Sequence, residues 1–390
     1  MILSERMQKL SPSITIAIST LAGELKASGK DVLSFSAGEP DFGTPRAIKD
    51  EAIKAINDGF TQYTPIPGIP ELLESIAGKL KRENGLEYTP SEIIASNGAK
   101  HSLFNLFQAT INEGDEVIIP APYWVTYPEL VKYAYGVPVI IETNEINNFK
   151  ITPEQLKESI TEKTKMLVLT TPSNPTGAIY SREELEALGE VLKGTEILVA
   201  SDEMYEKLVY SGEFTATASI SEDMFQRTVT INGLSKSVAM TGWRFGYLAT
   251  PKKELIAAMN KLQSQSTSNI NSITQKAAIL ALDGKVDKEI ETMRKAFASR
   301  AEEAAELMSN IDGLSVFKPQ GAFYLFVNIK DLSNDSIAFC KELLQDVGVA
   351  VVPGIGFGLE GYFRFSFATD ITTIREGIRR IEKFVKQKQA

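Results

Sequence analysis

The chain has 390 residues, 41 Lys and Arg against 50 Asp and Glu, and a formal charge of −9; at roughly 100–200 residues per domain, two domains are expected, one large and one small. Its hydrophobic share of 43% and charged share of 23% are those of an ordinary globular protein that needs no staples around its core. The acidic balance argues against a nucleic-acid partner, which calls for a basic face, and no apolar run approaches the roughly 18–20 residues of a membrane span, while small anionic ligands stay open because local fields differ from net charge.

At the start of the chain, Arg6 and Lys9 precede Ile14, Ile18, Leu21 and Leu25. A secretory leader is a poor match, because Ser and Thr interrupt the run, Glu24 follows, and no small-residue cleavage site stands out. The helical spacing predicts an amphipathic helix in a cytoplasmic protein. Thr44-Pro45 predicts an N-cap and a first-turn proline, opening a helix from Arg46 to about Asn57. An apolar run over Glu92–Ala95 then leads through Ser96-Asn97-Gly98-Ala99-Lys100 into a helix holding Leu103, Phe104, Leu106 and Phe107. A glycine turn at a helix start offers free N–H groups and a positive dipole end, which suit a phosphate; the same turn also serves as a plain strand-to-helix connection. His101 is the only histidine. That removes His-rich zinc centres and H-E-x-x-H proteases, and a Ser-His-Asp mechanism lacks its G-x-S-x-G elbow. Proton chemistry falls to Lys, Tyr, Asp or a cofactor.

Short apolar runs now alternate with helices: Glu116–Ile119, Lys165–Leu169, Glu196–Ala200, Thr228–Ile231 and Phe245–Ala249. Thr152-Pro153 with Gln155, and Ser181 with Glu184, predict capping boxes between them. The alternation predicts α/β layering with a mostly parallel sheet, whose ligands bind beyond the carboxyl ends of the strands. Pro120-Ala121-Pro122-Tyr123-Trp124 is either a stiff platform for a planar ring or a packed loop. In Thr170-Thr171-Pro172-Ser173-Asn174-Pro175-Thr176-Gly177, prolines fix the backbone that carries Asn174, for a ligand or simply for a tight turn. In Ser201-Asp202-Glu203-Met204-Tyr205, a carboxylate at a buried strand end caps a helix or meets a cation in a cleft. Lys236, in Asn232-Gly233-Leu234-Ser235-Lys236-Ser237, is a solvated surface residue or, desolvated by the small apolar stretch from Met240 to Tyr247, a nucleophile for carbonyls.

A charged helix is predicted from about Asp287 to Met308, then strands at Gly321–Val327, Val349–Val352 and Tyr362–Phe367, with a helix between the first two. This tail reads as a smaller α+β domain that the N-terminal helix can join. Cys340 is the only cysteine, which excludes an internal disulfide and favours a reducing compartment. Gly356-Phe357-Gly358-Leu359-Glu360-Gly361 fits G-x-G-x-x-G, but a strand rather than a helix follows it, so no dinucleotide is inferred.

Ser173-Asn174-Pro175-Thr176-Gly177, Ser201-Asp202-Glu203-Met204-Tyr205 and Ser235-Lys236 with Gly242-Trp243-Arg244-Phe245-Gly246-Tyr247 come in an order and spacing that resemble the class I aminotransferases, pyridoxal-phosphate enzymes of fold type I. Gly38-Glu39-Pro40-Asp41-Phe42, Tyr63-Thr64-Pro65 and Arg364-Phe365-Ser366 complete the pattern, so the resemblance covers nearly the whole chain. The nearest likeness is to the bacterial aspartate aminotransferase subgroup with Gly-x-Lys at the phosphate loop, here Gly98-Ala99-Lys100. The resemblance implies a large pyridoxal-phosphate domain over 46–285, with a mostly parallel seven-stranded sheet, and a small α+β domain made of 1–45 with 286–390. It implies that Lys236 carries the cofactor covalently and shuttles a proton, that Asp202 pairs with the pyridinium nitrogen, and that Tyr205 and Asn174 bond the phenolic oxygen. Trp124 would stack on the ring; Gly98, Ala99, Lys100, Ser235 and Arg244 would hold the phosphate, with Tyr63 reaching it from the other subunit of a homodimer with shared sites. Arg364 would clamp the substrate α-carboxylate near Gly38, Trp124 and Asn174.

The implied activity is ping-pong amino transfer from L-aspartate to 2-oxoglutarate. No arginine lies in Gln263–Asn271 to take the distal carboxylate; Lys100 matches the lysine that does so in this subgroup, with a cofactor contact as its other reading. Relatives that aminate prephenate tend to carry a cation before the N-terminal Pro-Ser; here Ser11 precedes Pro12-Ser13. An aspartate/prephenate or aromatic aminotransferase is the alternative. A non-catalytic ligand-sensing module of the same fold is more distant, since it would usually have lost the lysine that Lys236 supplies.

Overall fold

A computed structural model describes residues 3–389. After a two-residue strand, β1 (Leu33–Ser34), come seven strands: β2 (Ile93–Asn97), β3 (Glu116–Ala121), β4 (Val137–Glu142), β5 (Thr164–Thr170), β6 (Leu198–Asp202), β7 (Thr228–Gly233) and β8 (Phe245–Ala249). They form one sheet in the order β2-β8-β7-β6-β5-β3-β4. The chain thus has the α/β architecture that the alternation predicts. Neighbours are parallel except around β8, which is antiparallel to both β7 and β2.

The central strands are apolar on both faces because helices cover both. Alternation along the strand assigns them: Val117 and Ile119 join Leu103, Leu106 and Phe107 on one side, and Ile118 joins Leu185, Leu188 and Leu192 on the other. Both predicted capping boxes form, at Thr152 and Ser181. The helix over Arg46–Asn57 is also present, but its cap reading fails. Pro45 sits at the cap position with no side-chain cap bond, and the Thr44 hydroxyl points elsewhere, donating to the Ala239 carbonyl at 2.7 Å.

The tail builds β9 (Ser315–Val316), β10 (Tyr324–Asn328), β11 (Val349–Ala350), β12 (Val352–Pro353) and β13 (Tyr362–Ser366). β12-β13-β10-β9 form a four-stranded antiparallel sheet, while β11 pairs with β1. The single run expected over Val349–Val352 is therefore two strands of two sheets, and the one expected from Gly321 begins at Tyr324. The amphipathic helix Ile14–Ala27 lays Ile18, Leu21 and Leu25 against Ala350 and Leu344 of this tail. Among the described residues, no helix is long and apolar enough to cross a membrane.

Strand direction positions everything that follows. β2, β3, β5, β6 and β7 all end at the same edge of the sheet, so their exit loops converge there. β8 runs the other way and begins at that edge, which sets Arg244 beside the end of β2, where Asn97 pairs with Phe245.

Candidate active site

A cleft opens over this edge, lined by Gly38, Ala99, Lys100, Trp124, Asn174, Asp202, Tyr205, Ser235, Lys236, Arg244 and Arg364, together with Tyr127 and Tyr324. The exit loops of β2, β3, β5, β6 and β7 thus meet, as the strand-end reading expected, and Gly38 and Arg364 join them from outside that sheet. Tyr63 does not: it is 89% exposed and outside the cleft of its own chain.

At one end, Gly98 (φ +83°) turns β2 into the helix Ala99–Thr110, whose first N–H groups have no partner inside the helix. Arg244 donates from Nη2 to the Asn97 carbonyl at 3.2 Å and from Nη1 to the Thr241 carbonyl at 2.9 Å. A Cβ on Gly98 would stand 2.4 Å from Arg244 Nη2, and one on Gly246 would stand 2.2 Å from the Ala99 nitrogen. Both glycines are therefore conditions for packing an arginine and β8 against this turn. The result is a cationic cradle of backbone N–H groups with Arg244 and Ser235 beside it, fit for a phosphate.

In the middle, Asp202 ends β6 fully buried. No helix follows it, so the cap reading falls; the next residues form turns, and Asp202 Oδ1 accepts only from the Met204 N–H, at 3.3 Å. Oδ2 accepts from the Tyr127 hydroxyl at 2.6 Å, and that hydroxyl also meets Thr170 Oγ1 at 2.8 Å. Burial raises the Asp202 pKa, opposed by Tyr127, the Met204 N–H and the charge of Lys236. Lys236 shows the opposite effect: burial pushes its ammonium down to about 8, with Glu39 pulling upward and Arg364 and Arg244 adding to the fall. Its Nζ donates to the Gly38 carbonyl at 2.5 Å.

At the far end, Arg364 on the central strand β13 is 3% exposed. Its Nη1 donates to Asn174 Oδ1 at 3.0 Å and Nη2 to the Ser36 carbonyl at 2.9 Å, while the buried Nε has no partner among the described residues. Tyr324 and Phe357 lie against its plane, 4.3 and 4.9 Å from Cζ to the ring centres. No carboxylate of the chain pairs with this guanidinium among the described residues, and burial lowers its pKa. The fork asks for an anion from outside. Tyr205, expected on the cofactor, shares a 2.8 Å bond with the Tyr324 hydroxyl. Lys100 stands on the cleft wall with Nζ 4.9 Å from the Trp124 ring centre; burial and Arg244 lower its pKa. In Gln263–Asn271, Gln263 is spent on structure, bonding Ser96, Asn105 and the Ala95 carbonyl.

The sequence missed Tyr127 and Tyr324. Tyr127 lies three residues past Trp124 on the next helix, and its tie to Asp202 spans 75 positions. A buried acid needing a donor was the only available signal.

The arrangement joins an anion cradle, a depressed lysine facing a buried carboxylate, a ring platform at Trp124 and a buried guanidinium fork. It suits a flat, phosphate-bearing molecule with a basic ring nitrogen and a carbonyl within reach of Lys236, next to a carboxylate-bearing second ligand.

The family model for aminotransferase class I and II matches residues 30–381. The chain is 50% identical to the aspartate aminotransferase of Bacillus sp. (strain YM-2), over 99% of each chain. It is 48% identical to the aspartate/prephenate aminotransferase of Nitrosomonas europaea, over 97% of this chain and 98% of that one. Among solved structures, the aspartate aminotransferase of Thermus thermophilus with maleate superposes with a TM-score of 0.95 at 42% identity, covering 98% of this chain and 99% of the other.

Proposed function

The chain belongs to the class I and II aminotransferases and is pyridoxal-phosphate dependent, and from that premise we propose that it moves the amino group of L-aspartate to 2-oxoglutarate in two half-reactions at this cleft. The observation that carries the reading is Lys236: a lysine with its pKa brought down to about 8, buried between the carboxylate of Asp202 and the guanidiniums of Arg244 and Arg364. A pKa of about 8 leaves roughly a tenth to a fifth of the amine free at physiological pH, against under about a thousandth for an ordinary lysine, and the free amine is the form that attacks a carbonyl and accepts a proton.

Bound pyridoxal phosphate supplies a conjugated cationic ring that accepts the electron pair released when the substrate Cα–H bond breaks. The phosphate belongs in the cradle of Gly98, Ala99, Ser235 and Arg244. Asp202, held by Tyr127, keeps a ring nitrogen protonated; a cationic partner relieves the burial that raises its own pKa. Trp124 would cover the ring, and Asn174 and Tyr205 would hold its phenolic oxygen. Arg364 receives the α-carboxylate of the amino acid through its fork, which fixes Cα with its hydrogen toward Lys236 Nζ. Lys236 removes and returns that proton.

A dicarboxylate needs a second cation, because a buried carboxylate without one costs several kcal/mol. Lys100 is the cation that serves it. Lys100→Ala is expected to lower kcat/KM for aspartate and glutamate by about 10- to 1000-fold, the worth of one charged contact, and to spare alanine and phenylalanine. Equal losses for acidic and neutral donors would assign Lys100 to the cofactor instead. The test of the whole reading is a screen of amino donors against 2-oxoglutarate, with aspartate expected first. Prephenate belongs in the acceptor series because a relative of 48% identity is named for it.

The same reading divides the chain into a large domain over 46–285 and a small one of 1–45 with 286–390, in a cytoplasmic homodimer. Supporting the dimer, Tyr63 is exposed and away from its own cleft. Mixing Tyr63→Phe with Lys236→Ala subunits should restore activity, since one site of each hybrid keeps both residues; no recovery above the parents' mean would refute shared sites.

A further inference from the structure

Lys236 and Arg244 flank a turn of irregular backbone, and two of its non-glycine residues, Ala239 (φ +52°) and Arg244 (φ +56°), take the left-handed conformation that L side chains avoid. Such a conformation persists only where its surroundings enforce it. The enforcing contacts come from about 195 positions earlier in the chain. Buried Thr44 donates its hydroxyl to the Ala239 carbonyl at 2.7 Å and accepts from Trp243 Nε1 at 3.0 Å. One hydroxyl therefore joins both shoulders of the turn, using its donor and an acceptor at once. The segment that carries Thr44 is itself fastened. Glu39 Oε2 accepts from Thr241 Oγ1 at 2.9 Å, Asp41 accepts from Arg300 Nη1 at 2.7 Å, and the Gly38 carbonyl receives Lys236 Nζ.

We propose that Thr44 is a positioning residue, the rivet of a clamp formed by Gly38–Thr44 that holds the 236–244 turn in its strained shape and so places Lys236 and Arg244 together. Thr44 itself touches neither the phosphate nor the reacting atoms; its two bonds go to Ala239 and Trp243, and it acts through the turn they hold. It rests on the reading that these two residues hold pyridoxal phosphate.

The test compares Thr44→Val, which keeps the shape and removes both bonds, with Thr44→Ser, which keeps the hydroxyl. Apoenzyme is titrated with pyridoxal phosphate and followed by visible absorbance, and hydrogen exchange is read across 237–245 without cofactor. Thr44→Val should weaken cofactor binding by about 10-fold or more, the scale of a lost buried hydrogen-bond pair, and speed exchange in the turn. The pH midpoint for chemical labelling of Lys236 should move up toward that of an ordinary lysine as water enters. Thr44→Ser should restore all three. Trp243→Phe, which removes one of the two bonds, should fall between and covers the case in which Thr44→Val does not fold. Cofactor affinity and turn exchange unchanged in Thr44→Val, or in a folded Trp243→Phe, would overturn the clamp, as would Thr44→Ser failing to rescue. A wild-type chain that forms no visible band with pyridoxal phosphate would overturn the underlying reading and the clamp with it.

Discussion

Asp202 and Glu203 are consecutive, are 5% and 0% exposed, and leave the end of β6 toward different surroundings. Asp202 enters the cleft, where its only donors among the described residues are a tyrosine and one amide, and where Lys236 faces it. Glu203 enters a closed polar nest. It accepts from Ser201 Oγ at 3.0 Å and the Thr217 N–H at 3.1 Å, and its other oxygen has no partner among the described residues. Beyond it lies the buried Lys79–Glu206 pair, with Asn84 bonded to both at 2.8 Å. Burial and the charge of Glu206 raise the Glu203 pKa to about 8, so it carries a proton at neutral pH. Burial and a raised pKa are common to both acids and do not mark the functional one. What separates them is an open space with unspent cations on one side and, on the other, a nest outside the cleft whose neighbouring lysine is already paired with Glu206.

The largest effect should come from the cation on the Asp202 side. Lys236→Ala is expected to lose turnover by about three orders of magnitude or more, the scale of removing a general base that is also the nucleophile, while still binding cofactor through the phosphate cradle. Near-normal transamination in that variant would break the assignment. Asp202→Asn keeps the shape and removes the charge; kcat should drop by about 100-fold or more, with KM for aspartate little changed, as expected when a charge acts in the transition state. Tyr127→Phe leaves Asp202 with one donor and should cost about 10-fold in kcat, one hydrogen bond to a charged group.

Glu203→Gln is the smallest and the sharpest contrast. Its turnover should match wild type. Its stability should not, and the sign follows from linkage: a carboxyl at about 8 in the fold against 4.5 ordinarily keeps its proton after the unfolded chain has released it. Wild type therefore loses stability as pH rises from about 4.5 through 8, and the glutamine variant escapes that loss. Thermal melts should show the variant gaining on wild type with pH, more at about pH 9 than at about pH 5. A large activity loss at constant stability would make Glu203 part of the machinery and erase the contrast.

Strand ends were readable from the chain because apolar runs and their exit residues are local. Asp202, Asn174 and Lys236 each follow such a run, and the sheet's direction rule brings them together. Their partners were not readable. Thr44 looked like a cap because Thr-Pro is a local cap pattern, yet its hydroxyl is claimed by a carbonyl 195 positions away. Tyr324 lies in a strand of the other sheet, and nothing in its spacing points to Tyr205 or Arg364. Nor does the sequence tell which of two adjacent carboxylates faces a cleft; alternation says only that they differ. Arg364 was found by resemblance to a motif, while its fitness for an anion became visible only in its unpartnered Nε.

The most direct measurement of the central claim is a single half-reaction. Protein loaded with pyridoxal phosphate is mixed with L-aspartate and no oxo acid, and the visible band and released oxaloacetate are followed together. The band should bleach as one equivalent of oxaloacetate appears per protomer, the reaction should then stop, and 2-oxoglutarate should restore the band while yielding glutamate. An unchanged band with aspartate, or continuous oxaloacetate release without an acceptor, would contradict it.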